Sequence, residues 1–189
     1  FENEITKSTI ESIQAIKVIQ ENNGEFGANR YIISNNESAL NVMETFAMIR
    51  LSNWENPTVD VVPLFESVSD LLDAHNVMEK LYTNPMYAKH LVDRGMKQTI
   101  MLGFSDGTKD GGYLMANWSI YQAKEALTAI SRQYGVDVIF FDGRGGPPAR
   151  GGGKTHKFYA SLGPNIENKE IQITVQGQTI SSNFGTLDS

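Results

Sequence analysis

The sequence predicts an α/β protein built on a parallel sheet. Short apolar runs recur along the chain, at Tyr31–Ile33, Val59–Phe65, Gln98–Phe104 and Val136–Phe141. The segments between them carry the apolar spacing of amphipathic helices. The longer runs show little polar–apolar alternation, as expected of strands covered on both faces. Strand and helix in this order imply parallel strands joined by right-handed helical crossovers.

Each element has a local reason. Ile10, Ile13, Ile16 and Ile19, with Ala15 and Val18 beside them, form one apolar helix face over Glu4–Glu21, and Asn22-Asn23-Gly24 supplies a left-handed stop. Tyr31–Ile33 is a short strand ended by Asn35-Asn36. Leu40, Met43, Phe46 (or Ala47) and Ile49 give a second helix. After the strand Val59–Phe65, Ser67 and Asp70 form a capping box for a helix carrying Leu71, Leu72, His75 and Met78. Asn84-Pro85 opens a short helix that Gly95 closes. Gln98–Phe104 is the third strand, Tyr113–Tyr134 a long helix closed by Gly135, and Val136–Phe141 the fourth strand. Thr155–Ser161 reads as a short helix, and Glu170–Val175 and Gln178–Ser181 as two further strand segments. Two architectures fit this order: an open doubly wound sheet, or part of a (β/α)8 barrel. A complete barrel takes about 250 residues, so four units in this length make about half of one.

The bulk numbers narrow the class. The chain's 189 residues suffice for one domain with a sizeable core. Its 40% hydrophobic and 20% charged content is ordinary for a globular protein. A net charge of -6 argues against a nucleic-acid surface. There is no cysteine, hence no disulfide framework and no thiolate metal site, in keeping with a cytoplasmic location. No apolar run approaches the roughly 18–20 residues that cross a bilayer, so no membrane partner is expected. The chain opens on Phe-Glu-Asn-Glu-Ile without an initiator Met and is already helical there, which reads as a piece of a longer protein. Internal repeats are absent.

The chemistry gathers where the strands end. In parallel α/β folds the C-terminal edge of the sheet is the ligand edge. Val61-Val-Pro-Leu-Phe is followed by Glu66, Ile100-Met-Leu-Gly-Phe-Ser by Asp106, and Val138-Ile-Phe-Phe by Asp142. Carboxylates delivered to one rim, with no cysteine, suit a hard divalent cation such as Mg2+ or Mn2+. The plain alternative is that each acid caps the helix that follows, although Ser67 already fills that role after Glu66.

The stretch Asp142–His156 is the strongest local signal. It holds six glycines, two prolines and two arginines directly after a predicted strand. Glycine lets the backbone approach a ligand closely, and arginine presents a fork of donors that fits phosphate or carboxylate oxygens. This is an anion cradle inside an acidic chain. Ser105-Asp-Gly-Thr-Lys-Asp-Gly-Gly112 is a second glycine-containing loop entering a helix, and it carries Lys109. Gly153-Lys154-Thr155 is not a nucleotide P-loop, because the required earlier glycine is Pro148. His75, His90 and His156 form no set, and His75 and His90 read as packing or surface residues. Trp54 and Trp118 belong to core or interface.

These stretches also resemble a known family. Tyr31-Ile-Ile-Ser34, Val61-Val-Pro-Leu-Phe-Glu66, Met101-Leu-Gly-Phe-Ser-Asp-Gly-Thr-Lys-Asp110, Phe141-Asp-Gly-Arg-Gly-Gly146 with Arg150-Gly-Gly-Gly153, and Val175-Gln-Gly-Gln178 occur in the order and near the spacing of the C-terminal catalytic part of phosphoenolpyruvate carboxylase. The resemblance covers nearly the whole chain. It implies a segment of a (β/α)8 barrel, bearing on the condensation of phosphoenolpyruvate with bicarbonate to oxaloacetate and phosphate. It implies Mg2+ or Mn2+ held by Glu66 and Asp106. Arg144 is implied to neutralise the transferring phosphoryl group, and Arg150 and Lys109 to place bicarbonate and carboxyphosphate. Gly145, Gly146, Gly151 and Gly152 line the same substrate-binding stretch. The remaining partners implied are the rest of the chain's own polypeptide and, at full length, further copies of it in a homo-oligomer.

One departure stands out. The family motif is His-Gly-Arg-Gly-Gly, and here it opens with Asp142, a carboxylate that can bind metal or pair with Arg144. Asp142 is therefore a catalytic candidate, with the roles of ligand, base and structural partner all open to it. Pro147-Pro148 is a second difference, and it stiffens the stretch. The family's Thr-Ala-His-Pro-Thr segment is absent from the sequence. Two other readings remain: a non-catalytic phosphate- or anion-binding α/β module, and another phosphate-binding barrel enzyme.

Overall fold

A computed structural model describes residues 4–143 and 155–174, apart from the side chains at 5, 105–108, 110 and 155. Five strands form one sheet in the order β1-β2-β3-β4-β5. They are β1 (Arg30–Ile33), β2 (Asp60–Phe65), β3 (Lys97–Gly103), β4 (Asp137–Gly143) and β5 (Ile171–Ile173), and every neighbouring pair is parallel. The helices are α1 (Glu4–Asn23), α2 (Ala39–Leu51), α3 (Val68–Tyr82), α4 (Pro85–Asp93), α5 (Ser105–Gln133) and α6 (Thr155–Ala160). Spatial order equal to chain order decides between the two architectures. A doubly wound sheet reverses its strand order at a switch point; this sheet advances in one direction only. With right-handed crossovers, all connecting helices then pack on one face.

The sheet is also curved, although it is not closed. Flat, five strands would hold β1 and β5 about 19 Å apart, at roughly 4.8 Å per step. Yet Gln172 of β5, with its amide turned to satisfy both groups, accepts from Arg30 of β1 at 2.5 and 3.2 Å. The edge strands therefore approach each other across a concave face, as in part of a barrel.

Local signals place the helix ends. Gly24, Gly95 and Gly135 take positive φ of 84°, 77° and 69° after α1, α4 and α5. Asp70 N–H donates to Ser67 Oγ at 3.1 Å while Ser67 N–H donates to Asp70 Oδ2 at 3.0 Å, completing the capping box of α3. Asn84 Oδ1 accepts from the N–H groups of Met86 and Tyr87, opening α4 at Pro85. The core lies between sheet and helices. Val61, Phe65, Ile100, Leu102, Val138 and Phe140 project toward α3 and α5, which contribute Leu71, Val77, Met78, Ala123 and Leu127. Gln98 belongs to this same strand face, and its side chain holds Tyr87 Oη of α4 at 2.8 Å.

Three expectations are corrected. The long helix runs from Tyr113 as expected, but a short helical piece from Ser105 precedes it, and the two meet at Gly112 (φ 79°, ψ 171°). That conformation is open essentially to glycine alone, so a stretch that reads as a loop is a short helix joined to a long one. Leu40 and Leu72 are 62% and 57% exposed, because each lies one position off its helix's buried stripe. The final strand is shorter than Glu170–Val175, and the segment Gln178–Ser181 lies outside the described residues.

Candidate functional site

Strand register builds the rim. Phe65, Leu102, Asp142 and Ile173 are successive register partners across β2, β3, β4 and β5. Register partners share a face, and successive residues alternate. Phe65 and Leu102 point into the helix layer, so Asp142 does too. One residue further on, Glu66, Gly103 and Gly143 fall on the concave face, with Gly103 and Gly143 in register.

Glu66 is anchored at this rim. Its Oε2 accepts the Asn35 N–H at 3.0 Å, and Asn35 presents that N–H from a left-handed conformation (φ 53°) just after β1. The glycines clear the space beside it. A Cβ on Gly103 would stand 3.1 Å from Glu66 Cα and 3.3 Å from its Cγ. A Cβ on Gly143 would meet Met101 Cε at 2.9 Å. Between Glu66 and the start of the arginine-bearing stretch, the concave rim thus carries no side chain on β3 or β4.

Asp142 faces the other way. Its Oδ2 accepts from Lys124 Nζ of α5 at 2.8 Å and from Tyr159 Oη of α6 at 2.6 Å. All three residues are buried, Lys124 and Asp142 to 2% and 4% exposure. The Lys124 ammonium also lies 5.3 and 5.5 Å from the ring centroids of Phe140 and Tyr159. The Asp142 carbonyl accepts both the N–H and the hydroxyl of Thr174, at 3.1 and 3.2 Å. Lys124 and Asp142 are among the residues lining a mostly apolar cavity of about 280 Å³, with Phe104, Trp118, Tyr121 and Phe158.

The other sequence candidates are placed as follows. Asp106 lies in the first turn of α5, known by its backbone alone, and Lys109 is exposed in the same short helical piece. Arg144, Gly145, Gly146, Arg150, Gly151 and Gly152 lie outside the described residues. Among the described residues no group of three or more His, Asp or Glu side chains is arranged to hold a metal ion. Glu66 is an oxygen donor on a cleared concave rim, which fits a hard divalent cation. His90 is a packing residue, buried against the Phe46 ring at 4.8 Å. Trp118 is 55% exposed and stacks on Tyr121.

Sequence reasoning missed Gly103, Gly143, Lys124 and Tyr159. Three of these left a trace. Gly103 and Gly143 each end an apolar strand, one residue after a register partner. Lys124 sits four after Ile120 and three before Leu127, on the apolar stripe of α5, where an unpaired lysine has no place.

A sequentially ordered, curved parallel sheet with a carboxylate and two cleared positions at its carboxyl rim defines a barrel-like α/β protein whose ligand edge is that rim. The sequence model of the phosphoenolpyruvate carboxylase family matches residues 2–189, and the chain belongs to this family. The phosphoenolpyruvate carboxylase of Nitrosomonas eutropha is 34% identical over 187 residues, 96% of this chain and 20% of that protein. That of Rhodothermus marinus is 44% identical over 126 residues, 67% of this chain and 14% of that protein. That of Gloeobacter violaceus is 32% identical over 188 residues, 97% and 20% respectively. The chain spans about a fifth of the length of the relatives it matches along its whole length. No helix among the described residues is long and apolar enough to cross a membrane.

Proposed function

We propose that this chain is the metal- and phosphate-binding part of a longer phosphoenolpyruvate carboxylase, which joins phosphoenolpyruvate and bicarbonate to give oxaloacetate and inorganic phosphate. The observation that carries this is the concave rim: Glu66 held by Asn35, with Gly103 and Gly143 in register beside it, directly before Arg144. Glu66 and Asp106 would hold Mg2+ or Mn2+, which would supply Lewis-acid stabilisation of enolate charge. Arg144 neutralises the phosphoryl group in transfer. Arg150 and Lys109 position bicarbonate and carboxyphosphate, and the glycines at 145, 146, 151 and 152 let the backbone close on the anion. The rest of the polypeptide supplies the remaining groups, so the segment alone is inactive. The full-length protein is a cytoplasmic homo-oligomer in this reading.

Two measurements test it. In a malate dehydrogenase-coupled assay, the full-length protein forms oxaloacetate with Mn2+ present and the 189-residue segment does not; turnover by the segment contradicts the proposal. Mn2+ titration of the full-length protein loses its site on Glu66→Ala or Asp106→Ala. Unchanged binding and activity in both variants would sink the metal assignment and favour a non-catalytic anion-binding module.

A further inference from the structure

Away from the rim, one cleft holds polar groups that the fold leaves unused. It has a volume of about 430 Å³ and lies between α2, the connection 52–59 and α4. Small-molecule sites run to about 300–1,000 Å³. The cleft is at the amino edge of the sheet. Arg94 in its wall bonds Asp60 at the start of β2, whereas Glu66 follows the far end of that strand. At roughly 3.3 Å per residue the two ends stand about 20 Å apart, so a ligand here does not reach the rim.

The charges in the cleft can be accounted for one by one. Lys89 Nζ donates to Asp93 Oδ2 at 2.6 Å. Arg94 Nε donates to Asp60 Oδ1 at 2.6 Å, and its Nη2 to Glu25 Oε1 at 2.7 Å. Arg50 and Glu55 line the same cleft, and among the described residues neither makes an ion pair or a hydrogen bond. Arg50 stands in the last turn of α2, where the helix dipole suits a cation without using its donors. His90 is the third unused group. It is 6% exposed, and its ring packs on Phe46 at 4.8 Å. No described group hydrogen-bonds the ring, and neither ring nitrogen is sealed from solvent, so its polar edge opens on the cleft. Burial holds this imidazole below its usual 6.5, against the Asp60 carboxylate. It therefore meets the cleft uncharged at neutral pH, a donor at one nitrogen and an acceptor at the other. Nearly buried polar groups are ordinarily paired, and here the open partner is on the cleft side. Phe46, Pro57 and Met86 add apolar wall.

A cation and a carboxylate, both unpaired, in one cleft with apolar wall select a ligand that carries both charges and an apolar body. We propose that this cleft is a binding site for a zwitterionic α-amino acid with an apolar side chain: Arg50 takes its carboxylate, Glu55 its ammonium, His90 hydrogen-bonds the carboxylate, and Phe46, Pro57 and Met86 receive the side chain. The guanidinium fork matches a carboxylate. A simple anion would be repelled by Glu55, and a simple amine by Arg50. Because cleft and rim lie at opposite ends of β2, the ligand is an effector and not a substrate. The inference goes beyond the carboxylase reading and does not rest on it.

The test uses the full-length protein and equilibrium dialysis of labelled L-leucine. 4-Methylpentanoate and 3-methylbutylamine serve as analogues lacking the ammonium and the carboxylate. L-Leucine is expected to bind at least tenfold more tightly than either analogue. Arg50→Met and Glu55→Gln each weaken leucine binding at least tenfold. Glu55→Gln does not weaken 4-methylpentanoate, because it removes a like charge. Glu66→Ala, at the rim, leaves leucine affinity within about twofold of the parent. Glu55 is exposed, so its variant decides even if Arg50→Met does not fold. Absence of leucine binding overturns the inference, as does binding unmoved by Glu55→Gln or matched by either analogue. Loss of leucine binding in Glu66→Ala places the ligand at the rim and overturns it too. Oxaloacetate assays on the same protein separate the two readings. Leucine binding without oxaloacetate formation rejects the carboxylase reading alone, and oxaloacetate formation without leucine binding rejects the effector site alone.

Discussion

Gly103→Ala is the sharpest perturbation of the rim. The added Cβ stands 3.1 Å from Glu66 Cα, 3.3 Å from Glu66 Cγ and 3.3 Å from the Phe65 carbonyl oxygen. Carbon atoms pack comfortably at about 3.5–4.0 Å, so the shortfall to Cα is roughly 0.4–0.9 Å. The obstacle is the β2 backbone and the stem of the site carboxylate, held by the ladder that pairs Phe65 with Leu102. Relief requires the end of β2, and Glu66 with it, to move by about half an ångström. Overpacking of this kind costs about 1–3 kcal/mol. A metal ligand tolerates about 0.2 Å, and disturbing the support of a ligand lowers metal affinity by about 10- to 100-fold. Gly103→Ala in the full-length protein is therefore expected to lower Tm and to weaken Mn2+ binding at least tenfold, read by electron paramagnetic resonance of free Mn2+. Gly143→Ala is the control. Its closest obstacle is the tip of Met101 at 2.9 Å, a flexible side chain that can turn away. It is expected to lower Tm less. Unchanged Tm and Mn2+ affinity in Gly103→Ala, or a larger loss of Tm in Gly143→Ala, refutes the reasoning.

Two further outcomes concern stability. Gly112→Ala forces a side chain into the break in α5 and is expected to destabilise by about 1–3 kcal/mol, measured as a shift in urea midpoint. His90 carries a pH dependence. Burial holds its imidazole below the usual value of 6.5, the Asp60 carboxylate acting against burial and Arg94 with it. The unfolded chain therefore takes up the proton first. His90's contribution to stability is complete above about pH 6.5 and declines as pH falls below that value toward the folded pKa, by at most about 1.4 kcal/mol per unit. The difference in urea midpoint between pH 7.5 and 5.5 is expected to shrink in His90→Gln; an identical pH dependence in the two proteins would show that His90 is not the responsible group.

Much of this molecule is legible along the chain because its signals are local. Ser67 with Asp70, Asn84 with Pro85, and Gly95 and Gly135 act within a few residues of themselves, and each does what its chemistry predicts. The apolar runs locate four strands to within about two residues of their observed ends. The start of α5 escapes this logic, because Gly111-Gly112 looks like a loop when only the helices on either side show that a single glycine joins them. Glu66 was legible as a rim carboxylate from its place after a strand. The relation of Asp142 to the rim was not.

By itself, then, the sequence determined the elements, their parallel sense and the residue types delivered to the carboxyl edge, since hydrophobic period, capping and strand–helix order act over short separations. Tertiary structure alone decided that the strands advance in one direction around a concave face, where Arg30 meets Gln172. It also decided which side of β4 each residue takes. Strand alternation and register turn Gly143 to the rim and Asp142 to the helix layer, and only the packing of α5 and α6 against that layer brings a lysine 18 residues away and a tyrosine 17 residues away onto one carboxylate oxygen.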